Sequence, residues 1–523
     1  MTRIKLSMLL AMALPMSALA APPSADTVLI GGKVLTADDS FTIAESLAIK
    51  DGRIVAVGSN SNVSAYIGAE THIIELDGKT VIPGLIDNHF HFVRSAWNFQ
   101  NEARLDGVDT RAEALAILKA KAAEAEPGDW ITVIGGWSPR QFQDDSSSFT
   151  LAELDSVSKT NPVYLLQSYS SGYANSAAFA ETGTENTGSA ELSGRNGLTP
   201  FTNAVSWSNK AASREAILNY MAELNRLGLT AVYDSGRESD GDLTPIGELA
   251  AEGPMPLRVF HTLRYNAADA PAAVNLIEGM SPNTKNDYYG LIGLGEHIYS
   301  PVQDSPNVTA MWPDATWAPF SDISWAAAKN GWSVHEHVMS NATAVQFLDL
   351  IEDIAEEVPQ VKELRWTIAH ANGMTDAEIA RAKDLGVAIG VHAQARMSFR
   401  TVDKPPIGSI SRSGVLWGLG SDGAIVSSYN PFHTLGWAVT GKNIAQGIGW
   451  GDTETVSREE ALLAHTNYNA KLIFMEDDLG TLEVGKLADL VVLNEDYLTV
   501  PEDDIAHLLP VLTMTAGEVV FEK

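Results

Sequence analysis

A chain of 523 residues, 45% hydrophobic and 19% charged, is long enough for one large core plus a smaller second one. Its formal net charge of −31 argues against nucleic acid and against an anionic membrane surface as partners, since both would repel it. With no cysteine there can be no disulfide and no thiolate ligand, so any metal must be held by histidine and carboxylate.

The chain begins with a targeting pattern. Arg3 and Lys5 precede an apolar run from Leu6 to Leu14, and Ala18-Leu19-Ala20 is a small-x-small cleavage site. This predicts a secretory signal over residues 1–20, too short to span a bilayer, and export to the periplasm or exterior of a bacterium. A buried N-terminal helix fits poorly, because Ala21-Pro22-Pro23-Ser24 follows at once. No later run approaches a membrane span, so none is expected in the mature form.

Residues 26–83 alternate in short runs that predict strands at 27–30, 33–36, 46–49, 53–57, 72–75 and 80–82. Asp51-Gly52 and Asp77-Gly78 between them are hairpin signals. Strand-and-turn patterns return only at 479–493 and 513–521. The two ends together predict a small β-sandwich domain built from 26–83 plus 470–523, with residues 84–469 inserted into it.

Val81 to His91 reads as a buried strand that ends in two histidines. A strand has a side-chain period of 2, so His89 and His91 share a face, as a metal pair would. Beyond it, strands alternate with helices: helices at 111–124, 214–227 and 376–385, strands at 130–134, 230–233, 258–262, 332–335, 365–369, 387–391 and 415–418. Repeated βα units predict an α/β fold, a (β/α)8 TIM barrel or, failing that, a doubly wound sheet. The Ser-, Asn-, Thr- and Gly-rich stretch of about 138–210 reads as an insertion over the barrel mouth.

Further candidate ligands fall at the C-terminal ends of the predicted strands, the face where barrel active sites form. His335-Glu336-His337, His370 and Asp422 each follow such a strand. A single histidine there is more often structural. A pair, two further histidine strands and a closing aspartate in that order form a strong constellation.

The run Pro83-Gly84-Leu85-Ile86-Asp87-x-His89-x-His91, the later histidines, Gly420-Ser421-Asp422 and the closing Gly485 to Leu493 resemble the amidohydrolase superfamily. The chain looks most similar to amidohydrolase family 3, the YtcJ-like branch that includes N-substituted formamide deformylase. The resemblance spans nearly the whole mature chain. It implies a distorted (β/α)8 barrel, one or two divalent metals with zinc the first choice, and hydrolysis of amide or related C–N bonds. By that pattern His89 and His91 hold one metal, His337 and His370 the other, and Asp422 is the aspartate of the last strand. One departure matters: Leu291 to His297 has no lysine where many two-metal members carry a bridging carboxylated one. Glu296 is expected to supply bridging oxygens directly. The alternatives are a solvated Glu296 beside a single metal, or His297 as the ligand; His335 shares a face with His337 and is expected to support or replace it.

The chemistry implied is a water acidified to a pKa of about 7 by the cation, with Asp422 as base and then acid. His392 is a candidate for oxyanion stabilisation or for packing. Arg94, Trp137 and Tyr173 are candidate contacts to a small-molecule substrate, against ordinary loop packing. An apolar edge of the split domain would allow a homodimer. Alternative readings are an esterase or lactonase, a cyclic-imine deaminase, or an exported binding protein that has lost turnover.

Overall fold

The computed structural model describes residues 24–97, 99, 102–205, 213–237, 243–397, 404–447 and 454–523. The expected signal over 1–20 lies outside the described residues.

Eight parallel strands form the central sheet: β1 (Leu85–Phe90), β2 (Leu229–Arg237), β3 (Arg258–Tyr265), β4 (Tyr289–Tyr299), β5 (Val334–Val338), β6 (Thr367–His370), β7 (Ala388–His392) and β8 (Trp417–Gly420). Each pairs with the next in sequence, the order a TIM barrel requires. The ring is drawn together where β8 meets β1. Phe90 bridges to Gly423, Asp422 N–H donates to the His89 carbonyl (3.0 Å), and His91 N–H donates to the Gly423 carbonyl (3.0 Å). Closure therefore sets Asp422 directly against the histidine pair.

Two strand expectations change. Ile131–Ile134 does not join the barrel; it pairs in parallel with Val163–Ser168 in a separate four-stranded sheet completed by Ser171–Ala174 and Glu191–Ser193. Its four residues are all buried, so it has the same apolar signature as a barrel strand. β4 takes the vacated place. The extra sheet starts ahead of the expected 138 and has its own core around Leu105, Val133, Trp137, Phe149 and Leu165. β5 also starts later than expected, because Trp332 is consumed in ending the preceding helix, its N–H on the Ala327 carbonyl.

The six-stranded sheet combines Lys33–Leu35, Ile43–Ala44 and Thr80–Pro83 with Leu490–Leu493, Pro510–Thr515 and Glu518–Glu522. Thr80–Pro83 lies between Lys33–Leu35 and Leu490–Leu493. A second sheet of Thr27–Ile30, Ser46–Lys50, Arg53–Gly58 and His72–Glu75 shares a core with it through Leu29, Val34, Leu47, Val81, Leu490 and Leu512. Asp51-Gly52, both at positive φ, makes the expected hairpin. Asp77-Gly78 also turns at positive φ, but the strands on either side enter different sheets, so the turn carries the chain from one layer to the other.

A buried ion pair ties the terminal sheet to the barrel floor. Arg258, at the start of β3, grips Asp489 through Nε (3.0 Å) and Nη2 (2.8 Å), both side chains shielded from water. Asp489 also accepts from Ala516 N–H (2.8 Å). Asp489→Ala would strand a buried guanidinium, and we expect a loss of about 3–5 kcal/mol, read as a lower urea midpoint. Replacing both partners by apolar residues should cost much less. No helix among the described residues is long and apolar enough to cross a membrane.

Candidate metal centre

The site assembles at the C-terminal ends of β1, β4, β5, β6 and β8. Asp87 accepts from the N–H groups of His89 (3.1 Å) and Ser421 (3.0 Å), clipping β1 to the end of β8. His370 and Asp422 leave their strands in the left-handed region, at φ 75° and 59°. Such strain persists only where the surroundings enforce it. Gly295 brings β4 close to β5: a Cβ there would lie 1.9 Å from the His335 carbonyl oxygen. No other residue fits, and the close approach carries Glu296 to His337.

Three overlapping groups of donor atoms result among the described residues, His89–His91–Asp422, Glu296–His337–His370 and His89–His370–His392, and Glu296 reaches toward the first as well as its own. Its Oε2 lies 3.4 Å from His89 Nε2 and 3.8 Å from His91 Nε2. Asp422 Oδ1 completes this group, 3.1 Å from His91 Nε2 and 3.7 Å from His89 Nε2. Its Oε1 contacts His337 Nδ1 and lies 3.0 Å from His370 Nε2, which is 2.9 Å from His337 Nδ1. Ligands about 2.0–2.1 Å from a tetrahedral cation stand roughly 3.3 Å apart, so these spacings are near those of a ligand shell. His89 Nε2 is fully buried and has no hydrogen-bond partner, the state of a nitrogen whose partner is a cation. The donor set of histidine nitrogens and carboxylate oxygens suits a borderline divalent ion.

The electrostatics agree. Burial pushes the Glu296 carboxyl up, but the charges of His89 and His337 outweigh it and hold it well below the carboxylate range. Burial opposes the charged forms of His89 and His337, and Glu296 nevertheless raises both. These are the positions where a cation's charge is best compensated. Burial, helped by the His337 charge, drives His370 down to about 3, leaving the neutral imidazole that ligates. Burial pushes Asp422 up to about 7, with His89 pulling the other way and Glu296 adding to the rise.

A second ring of contacts orients the first. His89 Nδ1 lies 2.8 Å from His335 Nε2, and His91 Nδ1 lies 3.2 Å from the Ser235 carbonyl. His370 Nδ1 meets His392 Nδ1 and Gln394 Nε2, each at 2.9 Å. His335 thus sits behind His89 and not in place of His337. His392 uses its other nitrogen on Asn88 Oδ1 (3.1 Å), so the expected oxyanion donor is a buried support beneath the site. His297 is turned to the Val302 carbonyl (3.1 Å), with its ring stacked on His337.

The three substrate-contact candidates separate. Trp137 is fully buried, its Nε1 donates to the Leu166 carbonyl (3.0 Å), and Phe142, Phe149 and Tyr173 surround it. Tyr173 belongs to the same aromatic core, so both are packing residues of the extra sheet. Arg94 remains beside the site, in α1 (Phe92–Ala96), directly after His91. The sequence reading missed Asn88 and Gln394. The step of two from His392 to Gln394, the same as from His89 to His91, was the available signal for the latter.

Comparisons with known proteins bear on the family and the fold. A sequence model described as the amidohydrolase family matches residues 72–521. Protein LONG AFTER FAR-RED 3 of Arabidopsis thaliana is 27% identical, over 90% of this chain and 88% of its own. N-substituted formamide deformylase of Arthrobacter pascens is 24% identical, over 95% of this chain and 98% of its own. Among solved structures, an uncharacterised metal-dependent hydrolase from Pyrococcus furiosus superimposes with a TM-score of 0.63 at 20% identity, covering 90% of this chain and 100% of that one.

Proposed function

The chain belongs to the amidohydrolase family, and from that premise we propose that it hydrolyses an amide or related non-peptide C–N bond of a small molecule at a two-metal site bridged by Glu296. The observation that carries the reading is the division of one carboxylate, Oε1 toward His337 and His370, Oε2 toward His89 and His91. Zinc is the ion the donor set suits first. Action outside the cytoplasm is part of the proposal and rests on the charged-then-apolar order of residues 1–20.

When bound, the cations would polarise the scissile carbonyl and acidify a water. The rest falls to the protein. Asp422, buried between His91 and His370, accepts the proton of the attacking water through a carboxylate oxygen and returns it to the departing nitrogen. Its acidity, near 7 before a cation's charge draws it down, allows both directions of transfer close to neutral pH. His335 and the Ser235 carbonyl fix the rings of His89 and His91. Asn88, His392 and Gln394 form a chain that holds His370.

Elemental analysis of the purified protein, with turnover of simple N-formyl and N-acetyl amines before and after chelation, tests this. Close to two metals per chain is expected, with activity lost on chelation and restored by zinc or manganese. One metal per chain would remove the bridging role. No metal even after reconstitution would end the hydrolase reading and favour a binding protein.

A further inference from the structure

Arg94 presents a vacant gripping edge beside the metal centre. Its Nη1 donates to the Tyr169 hydroxyl (2.7 Å), contributed by the extra sheet. Its Nε and Nη2 are shielded from solvent and have no partner. That edge is the one by which this protein holds carboxylates elsewhere: Arg258 takes Asp489, and Arg111 takes Glu153, through Nε and Nη2 in each case. The chain has 66 acidic residues against 35 basic ones, yet none of those among the described residues occupies the Arg94 edge. One turn further along, Trp97 Nε1 is likewise buried without a partner. Residues three apart lie on one side of a helical turn, so the vacancies are neighbours.

All three vacant atoms are N–H donors, and neither side chain can accept a hydrogen bond. Donors left unmade in a shielded place are costly, which favours a ligand that brings acceptors only. A carboxylate does so, and its two oxygens match the guanidinium fork. Arg94 stands three residues beyond His91, and its charge reaches Asp422. We propose that the substrate is an anionic amide, whose carboxylate is gripped by the Nε/Nη2 edge of Arg94 with Trp97 Nε1 alongside, while its scissile carbonyl lies among the histidines and Glu296. This rests on the hydrolytic reading above and adds the substrate's charge. Tyr169 then has a role as well: by occupying Nη1 it leaves the fork facing the ligand.

The test uses metal-loaded full-length protein and a series of hydroxamates bearing a terminal carboxylate on chains of increasing length, each with its carboxamide counterpart, titrated calorimetrically. At the best-fitting length the carboxylate is expected to bind about tenfold or more tighter than the carboxamide. Arg94→Met should erase that preference while the carboxamide still binds, which also reports that the variant is folded. Arg94→Lys should retain part of it, and Trp97→Phe should reduce it. Equal binding at every length, or a preference that survives Arg94→Met, would overturn the assignment and leave the hydrolase intact. Failure of both members of every pair to bind would instead bring down the metal site itself, and this proposal with it.

Discussion

Asp422→Asn is expected to lower kcat by about 10²–10⁴-fold while metal content stays in the wild-type range. The amide has the size of the carboxylate and keeps one oxygen for the His89–His91 group, but it accepts no proton at these pH values. The pH profile gives a second reading. A base works only when deprotonated, so activity should fall as pH drops through the Asp422 titration. Burial sets that titration near 7, and a cation's charge would shift it lower. The acid limb should vanish in the variant, whose residual rate would be flat. A variant as active as wild type would remove Asp422 from proton transfer. A wild-type protein that binds ligand without turning it over, and whose ligand binding Asp422→Asn leaves untouched, would be a binder.

Glu296→Ala is expected to have the larger effect. It removes the carboxylate that completes the group with His337 and His370 and also reaches His89 and His91, and leaves His337 and His370 as a two-nitrogen site. Metal content should fall from near two to one or fewer, and turnover should drop below the limit set by Asp422→Asn. Glu296→Gln sharpens the test, since it keeps the shape and loses the charge that raises His89 and His337. If it still bound two ions, charge neutralisation by Glu296 would be unimportant. One ion in wild type and in both variants would make Glu296 a bystander.

Much of this site was legible in the sequence because strand geometry is simple. His89 and His91, His335 and His337, His370 and Asp422 all stand at or just past strand ends, and a period of 2 assigns their faces without further information. Periodicity could not say that His335 turns to His89 while His337 turns to Glu296, since both share one face. Glu296 was reached only by resemblance. Its strand was missed because Gly290, Gly293 and Gly295 interrupt the apolar pattern, and glycine in a strand reads as a break. Gly295 is there for close approach, a property of the neighbouring strand that no local window contains. Ile131–Ile134 failed the opposite way: its pattern was right for a buried parallel strand, but a pattern does not say which sheet it joins. Trp137 and Tyr173 read as mouth aromatics because the polar stretch around them hid a folded core.

Thr80–Pro83 has a consequence for how the molecule is made. It is bonded on one side by a strand some 45 residues earlier and on the other by one more than 400 residues later. As synthesis proceeds from the N-terminus, that second edge stays open until Leu490–Leu493 has emerged, and the strand leads directly into the candidate ligands His89 and His91. All four of its residues are buried in the finished fold, so the waiting strand offers unpaired backbone groups beside uncovered core faces and is prone to pair with another chain. Products cut short before Leu490 should therefore collect as aggregates, because the strand that closes the edge is missing from them.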